Sequence, residues 1–323
     1  MSLDVPNTAI LPIFGTFRDF FDNSTLVRIV IGTALLGMVS GALGCFAFLR
    51  RQSLLGDGIS HAALPGIAIA FLIVHDQPLW LILGAASAGI LATWLMQIIV
   101  RYSSLGFDTA LAIVSSVFFG TGMVLLSWIQ GHVRGSSSSG LEKYLFGQAA
   151  LMIEKDVQAI AITCTIIFLI LFLFWKELKI TIFDPEFAAS CGYNVPLLEK
   201  LILALLVLAI VIGLESVGVV LMSAMVVAPA AAARQWTNRF GRMVFLAAFF
   251  GAVSATVGSL SSDYLATKRR SIPTGPMIVL VALSIVFCSS LCWRCIYQFK
   301  RTFLSDRSRK ETGSILSQNT IGK

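Results

Sequence analysis

The sequence predicts an all-α polytopic membrane protein, a bundle of about eight or nine transmembrane helices with one short helix on its cytoplasmic side. Three observations carry the prediction. Hydrophobic residues fill 57% of the 323 positions and charged residues only 13%, about half the charged share of a soluble globule. Nearly uncharged stretches such as LWLILGAASAGILATWLMQIIV at 79–100 recur, at the length of roughly 20 residues that a helix needs to cross about 30 Å of hydrocarbon. None of them alternates polar and apolar residues over about ten positions, as strands closing a barrel do.

The chain opens with residues 1–25, an interfacial lead-in rich in Phe14, Phe17, Phe20 and Phe21. Asp4, Arg18, Asp19 and Asp22 precede the first long apolar run, which argues against a cleaved signal peptide. The transmembrane domain, 26–298, offers spans at 26–48, 59–74, 79–100, 107–129, 157–175, 198–214, 216–233, 243–262 and 275–297. Short loops carrying basic residues stay in the cytoplasm. That places Arg50, Arg51, Arg101, Lys176, Lys179, Arg234, Arg239 and Arg242 inside, with the chain starting outside and ending inside. Two features strain a count of nine. Lys268, Arg269 and Arg270 fall outside, and 59–74 is short before His75 and Asp76. Short or glycine-broken segments are what transporters use where half-helices meet, so the count is eight or nine.

Between the fifth and sixth spans, Asp184, Pro185 and Glu186 cap and begin a short helix that continues through Phe187, and Gly192 with Pro196 ends it. With Phe187 and Tyr193 displayed, it is either a docking surface for a soluble partner or an interfacial helix resting on lipid. The external stretch 130–156 opens as a Ser/Gly-rich loop and continues as a half-apolar surface helix, LEKYLFGQAALM. Residues 299–323 form a solvated cytoplasmic tail. The net charge of +7 reflects membrane orientation and not nucleic-acid binding, because basic residues gather at the ends of apolar runs. Trp80, Trp128, Trp175, Trp236 and Trp293 lie near span ends as lipid-facing anchors.

Ionisable residues inside apolar segments are functional candidates by default, because they are costly in lipid. In LLGDGISHAALPG at 54–66, Asp57 and His61 share one helical face. Carboxylate oxygen with imidazole nitrogen suits Zn2+, Mn2+ or Fe2+; a proton relay or a structural ion pair is the alternative. Two ligands make a poor cage, so further helices or a second polypeptide must contribute. Ser60, Glu215 and Met222 are candidate path residues. Glu215 either pairs across the bundle, lines the path or marks the external mouth between 198–214 and 216–233, and Met222 is equally suited to core filling. Asp108 looks like a cap. Cys288, Cys292 and Cys295 share a face, which suits small-residue packing more simply than a soft-metal site. The chain has no GxxxxGK[ST], HExxH or GxSxG motif, so it neither powers itself with ATP nor resembles a membrane hydrolase.

SLLGDGISHAALPG at 53–66, GLEKYLFGQAA at 140–150, FDPEFAASCGYN at 183–194, GLESVGVVLMSAMVVAPAAAARQ at 213–235 and IPTGPMIVLVA at 272–282 together resemble the permease subunit of the manganese, zinc and iron importers of the ABC class, the ABC-3 type. The resemblance covers roughly residues 26–298. It implies an ABC importer permease in the bacterial inner (cytoplasmic) membrane with no permanently bound cofactor. The implied partners are a second permease, the same or a sibling chain, two cytosolic ABC ATPases and an extracytoplasmic solute-binding protein. It further implies that Asp57 and His61 form a metal site near the permease interface, and that 184–193 is the coupling helix seated in the ATPase. A proton-coupled secondary transporter is the runner-up from another class, and a permease for a metal chelate is the third reading.

Overall fold

The computed structural model describes residues 24–74, 77–132, 152–265 and 273–294. Over these the chain is helical: α1 (Ser24–Leu49), α2 (Leu55–Ala62), α3 (Leu64–Val74), α4 (Pro78–Tyr102), α5 (Phe107–His132), α6 (Glu154–Leu173), α7 (Trp175–Phe183), α8 (Pro185–Ser190), α9 (Val195–Val217), α10 (Val219–Trp236), α11 (Phe240–Leu265) and α12 (Thr274–Arg294). Eight stretches among the described residues are long and apolar enough to cross a membrane, α2 and α3 together making one. That lies within the expected eight or nine. The remaining segment, read as a span at 216–233, is α10, an 18-residue helix holding Pro229 and Arg234. It packs inside the bundle against α1, α2 and α11. The lead-in before Ser24, the surface helix in 140–151, Lys268 to Arg270 and the tail 299–323 lie outside the described residues.

Lipid offers helices no hydrophobic reason to associate, so close approach at small residues has to supply the contact energy. The antiparallel α1–α11 seam shows this. A Cβ on Gly37 would strike the Gly251 carbonyl, one on Gly251 the Gly37 carbonyl, and one on Gly41 the Ala247 carbonyl. Thr33 and Ser259 add a hydroxyl pair at 3.2 Å across the same seam, of the kind worth about 0.6 kcal/mol in a membrane. On the other flank Gly66 of α3 and Gly84 of α4 meet in the same way. Between these seams, Gly44 of α1 faces the Val226 carbonyl of α10, and Pro229 sets its Cβ against Gly41. Trp236 closes the end of α10 by donating from Nε1 to Ser289 Oγ of α12 at 2.7 Å.

Several boundaries differ from the sequence reading, each for a local reason. The span expected at 59–74 starts at Leu55 and breaks at Ala63, because Pro65 has no N–H for the His61 carbonyl and its ring crowds that turn. The stretch from Trp175, expected to be exposed, holds α7, whose Leu178 and Thr181 are buried. Trp175 is not a lipid-facing anchor. Its ring stacks on Phe240 at 5.2 Å. Pro196 does not end the short helix; it lies in the first turn of α9, where Asn194 Oδ1 accepts from Leu197 N at 3.2 Å. Asp108 sits inside the first turn of α5, and the Gly106 carbonyl accepts from Ala110 N there. Cys288 and Cys292 are exposed and not packed; Cys295 is outside the described residues.

Candidate functional site

Helix α2 is an eight-residue helix wedged between α5 and α10 by its glycines. A Cβ on Gly58 would strike Leu111 of α5, and one on Gly56 would sit 3.3 Å from Val226 of α10. Leu55, Ile59 and Ala62 fill the same buried side. This leaves the opposite face to Asp57 and His61, one turn apart. Asp57 Oδ1 lies 3.5 Å from His61 Nε2, with the Asp57 side chain 55% exposed and that of His61 33%. The Asp57 carboxylate occupies the first turn of α2, where free backbone N–H groups favour an anion. Phe119 of α5 meets the His61 ring edge-on, with centroids 4.8 Å apart. His61 Nδ1 is enclosed and has no hydrogen-bond partner among the described residues.

The other candidates separate from this pair. Ser60 is fully buried and its hydroxyl donates to the Gly56 carbonyl at 2.7 Å, within α2. Met222 is buried, with its sulfur against Gly213 inside the α9–α10 hairpin. Glu215 belongs to α9, which ends at Val217 before a turn at Gly218 with φ 87°; its side chain is outside the described residues. Among the described residues no three His, Cys, Asp or Glu side chains converge. The pair offers one oxygen and one nitrogen on a face that is open within the single chain. Phe119 was invisible from the sequence, where nothing marks one phenylalanine of an apolar helix as the neighbour of His61.

At the basic end of the bundle, α8 is built as its residues suggest. Asp184 Oδ1 accepts from Phe187 N at 2.9 Å, and Pro185 occupies the first turn. Gly192, at φ 86°, terminates the helix: Gly192 N donates to the Ala189 carbonyl and Tyr193 N to the Ala188 carbonyl, the two bonds of a Schellman end. Glu186 and Phe187 are exposed, Phe187 by 56%. Tyr193 is half-buried and packs on the core, so of the two aromatic side chains only Phe187 projects fully.

Residues 22–293 match the ABC-3 transport family, and the chain belongs to that family. It is an ABC-type metal-ion transport permease and not the ATPase. The chain is 44% identical over 270 residues to the zinc transport system membrane protein TroC of Treponema pallidum, with 83% of this chain and 89% of that one covered. It is 43% identical over 265 residues to the manganese transport system membrane protein MntC of Bacillus subtilis, covering 82% of this chain but 60% of that relative's length. A solved structure described as PsaBC from Streptococcus pneumoniae in complex with Fab aligns with a TM-score of 0.74 and 34% identity, over 86% of this chain and 95% of that one.

Proposed function

We propose that this permease imports a divalent first-row transition metal ion, Mn2+, Zn2+ or Fe2+, across a bacterial inner membrane, with Asp57 and His61 as its ligands to the ion. The observation that carries the reading is the exposure of Asp57. A carboxylate within a membrane span is costly when it faces lipid, yet this one is more than half open in the single chain. A second permease covering that face removes the carboxylate from lipid, and its own donors complete the coordination that two residues leave unfinished. An apolar groove of about 710 Å3 further along the same span, lined in part by Pro65, Ile69, Ile73 and Phe118, offers more surface for such a partner. In this reading α8, through Glu186 and Phe187, docks on a cytosolic ABC ATPase, an extracytoplasmic binding protein delivers the ion, and ATP binding and hydrolysis drive the change of access. Carboxylate and imidazole accept all three ions, so availability contributes to the choice among them. The relatives named for zinc and for manganese fit that donor set equally.

The test is uptake into proteoliposomes holding the permease with its second permease, ATPase and binding protein, using Mn2+, Zn2+ and Fe2+ in turn, with and without ATP. ATP-dependent uptake of at least one ion by the wild type, lost in Asp57→Ala with the complex still assembled, is the expected result. Uptake that ignores ATP and follows a pH gradient overturns it in favour of proton coupling. Full uptake by Asp57→Ala removes the site.

A further inference from the structure

A half-buried ion pair joins the two parts of the molecule that the transport reading keeps separate. Arg50 Nη2 lies 3.2 Å from Glu199 Oε1, with the arginine side chain only 15% exposed and the glutamate 41%. Burial lowers the Arg50 guanidinium from its ordinary value, and Glu199 opposes that loss. Glu199 sits near the start of α9, directly after α8. Arg50 directly follows α1, and the short link 50–54 leads straight into α2 and Asp57.

That link has little slack. Arg51 N donates to the Phe48 carbonyl and Gln52 N to the Ala47 carbonyl, then Leu55 N to Gln52 and Gly58 N to Leu54. The first two bonds form a Schellman end, whose turning residue is usually glycine; here it is Arg51, at φ 58°. A non-glycine residue in this region costs about 1 kcal/mol, and the half-buried pair beside it is a weak source of net stability. A strained turn and an ion pair that add little to stability are better accounted for by transmission than by packing. The pair also lines a cavity of about 460 Å3 together with Gln52, Arg101, Thr181 and Pro185, the first residue of α8.

We infer that Arg50 and Glu199 are positioning residues that tie the α8–α9 segment to the helix bearing Asp57 and His61, so that displacement of α8 reaches the ion ligands through this pair. The inference rests on the reading of α8 as the ATPase-docking helix and adds the route by which its movement is delivered.

The experiment uses the complete complex in proteoliposomes and reads Mn2+ and Zn2+ uptake and ATP hydrolysis in the same preparation, for wild type, Glu199→Gln, Arg50→Met and the charge exchange Arg50→Glu with Glu199→Arg. Each single variant should lower the ions moved per ATP by about tenfold while the complex assembles and still hydrolyses ATP. Equilibrium binding of the ion without ATP should stay within about twofold of wild type, and the exchanged pair should regain coupling. Glu199→Gln preserves the side-chain shape, so it keeps the test sharp if the exchange misfolds. An unchanged ratio in the single variants overturns the inference and leaves the transport reading standing. So does a parallel fall of assembly, hydrolysis and uptake, the mark of a merely structural pair. No ATP-driven uptake by the wild type overturns both.

Discussion

That Asp57 and His61 share one helical face was legible from their spacing, and an acid and an imidazole there have few inexpensive explanations inside an apolar segment. The structure adds what spacing alone lacked: the glycines at 56 and 58 are there to press α2 against α10 and α5, leaving the pair on the open face. His61→Ala should lower equilibrium binding of the transported ion at least about tenfold, measured by titration of the purified complex, since removing even an outer partner of a metal ligand costs 10- to 100-fold. Unchanged affinity would return His61 to a packing role against Phe119. Arg51 was not legible, because a left-handed turn normally announces itself through glycine or asparagine. Arg51→Gly should hold or raise the thermal stability of the permease in detergent. Relief of about 1 kcal/mol of strain is partly offset by the freer unfolded chain. A clear fall in melting temperature would show that the Arg51 side chain makes a contribution of its own.

Elements whose limits depend on capping chemistry read well. Asp184 and Gly192 bound α8 through side-chain and backbone bonds that a sequence can signal. The α2–α3 break and α7 did not read well. In the first, one proline divided what hydropathy joined; in the second, charged residues concealed a helix whose buried face is Leu178 and Thr181. Asp184→Ala removes the cap bond and should destabilise α8 by about 1 kcal/mol, visible as faster amide exchange over 185–190. With α8 as the docking helix, weaker co-purification of the ATPase accompanies it; undiminished co-purification argues that α8 docks nothing. Gly251→Val should disrupt the α1–α11 seam, because the new side chain meets the Gly37 carbonyl and no rotamer avoids it. The readout is loss of folded permease by size-exclusion chromatography, with Gly131→Ala as a control in open space.

For the molecule as a whole, membrane class and the approximate number of crossings follow from apolar length. The long-range pairings do not, since Arg50–Glu199 and Gly37–Gly251 each join distant parts of the chain. The open carboxylate carries the molecular-scale prediction. Asp57→Leu should make insertion of residues 55–74 more favourable in a translocon assay, by less than the roughly 3 kcal/mol of a mid-helix carboxylate because Asp57 lies in the first turn, while abolishing uptake, the exchange of stability for function expected of a site residue. Unchanged insertion would mean that Asp57 lies at the membrane interface and not in the hydrocarbon. The α1–α11 seam has a consequence for motion as well. Where backbone meets backbone at Gly37, Gly41 and Gly251, no side chain intervenes to change rotamer, so the two helices cannot slide without unpacking. With α10 lodged against both, the three helices form one tightly packed unit, and opening and closing are expected to be taken up outside it. A small displacement applied at Arg50 would then swing all three helices together, as a handle turns a door.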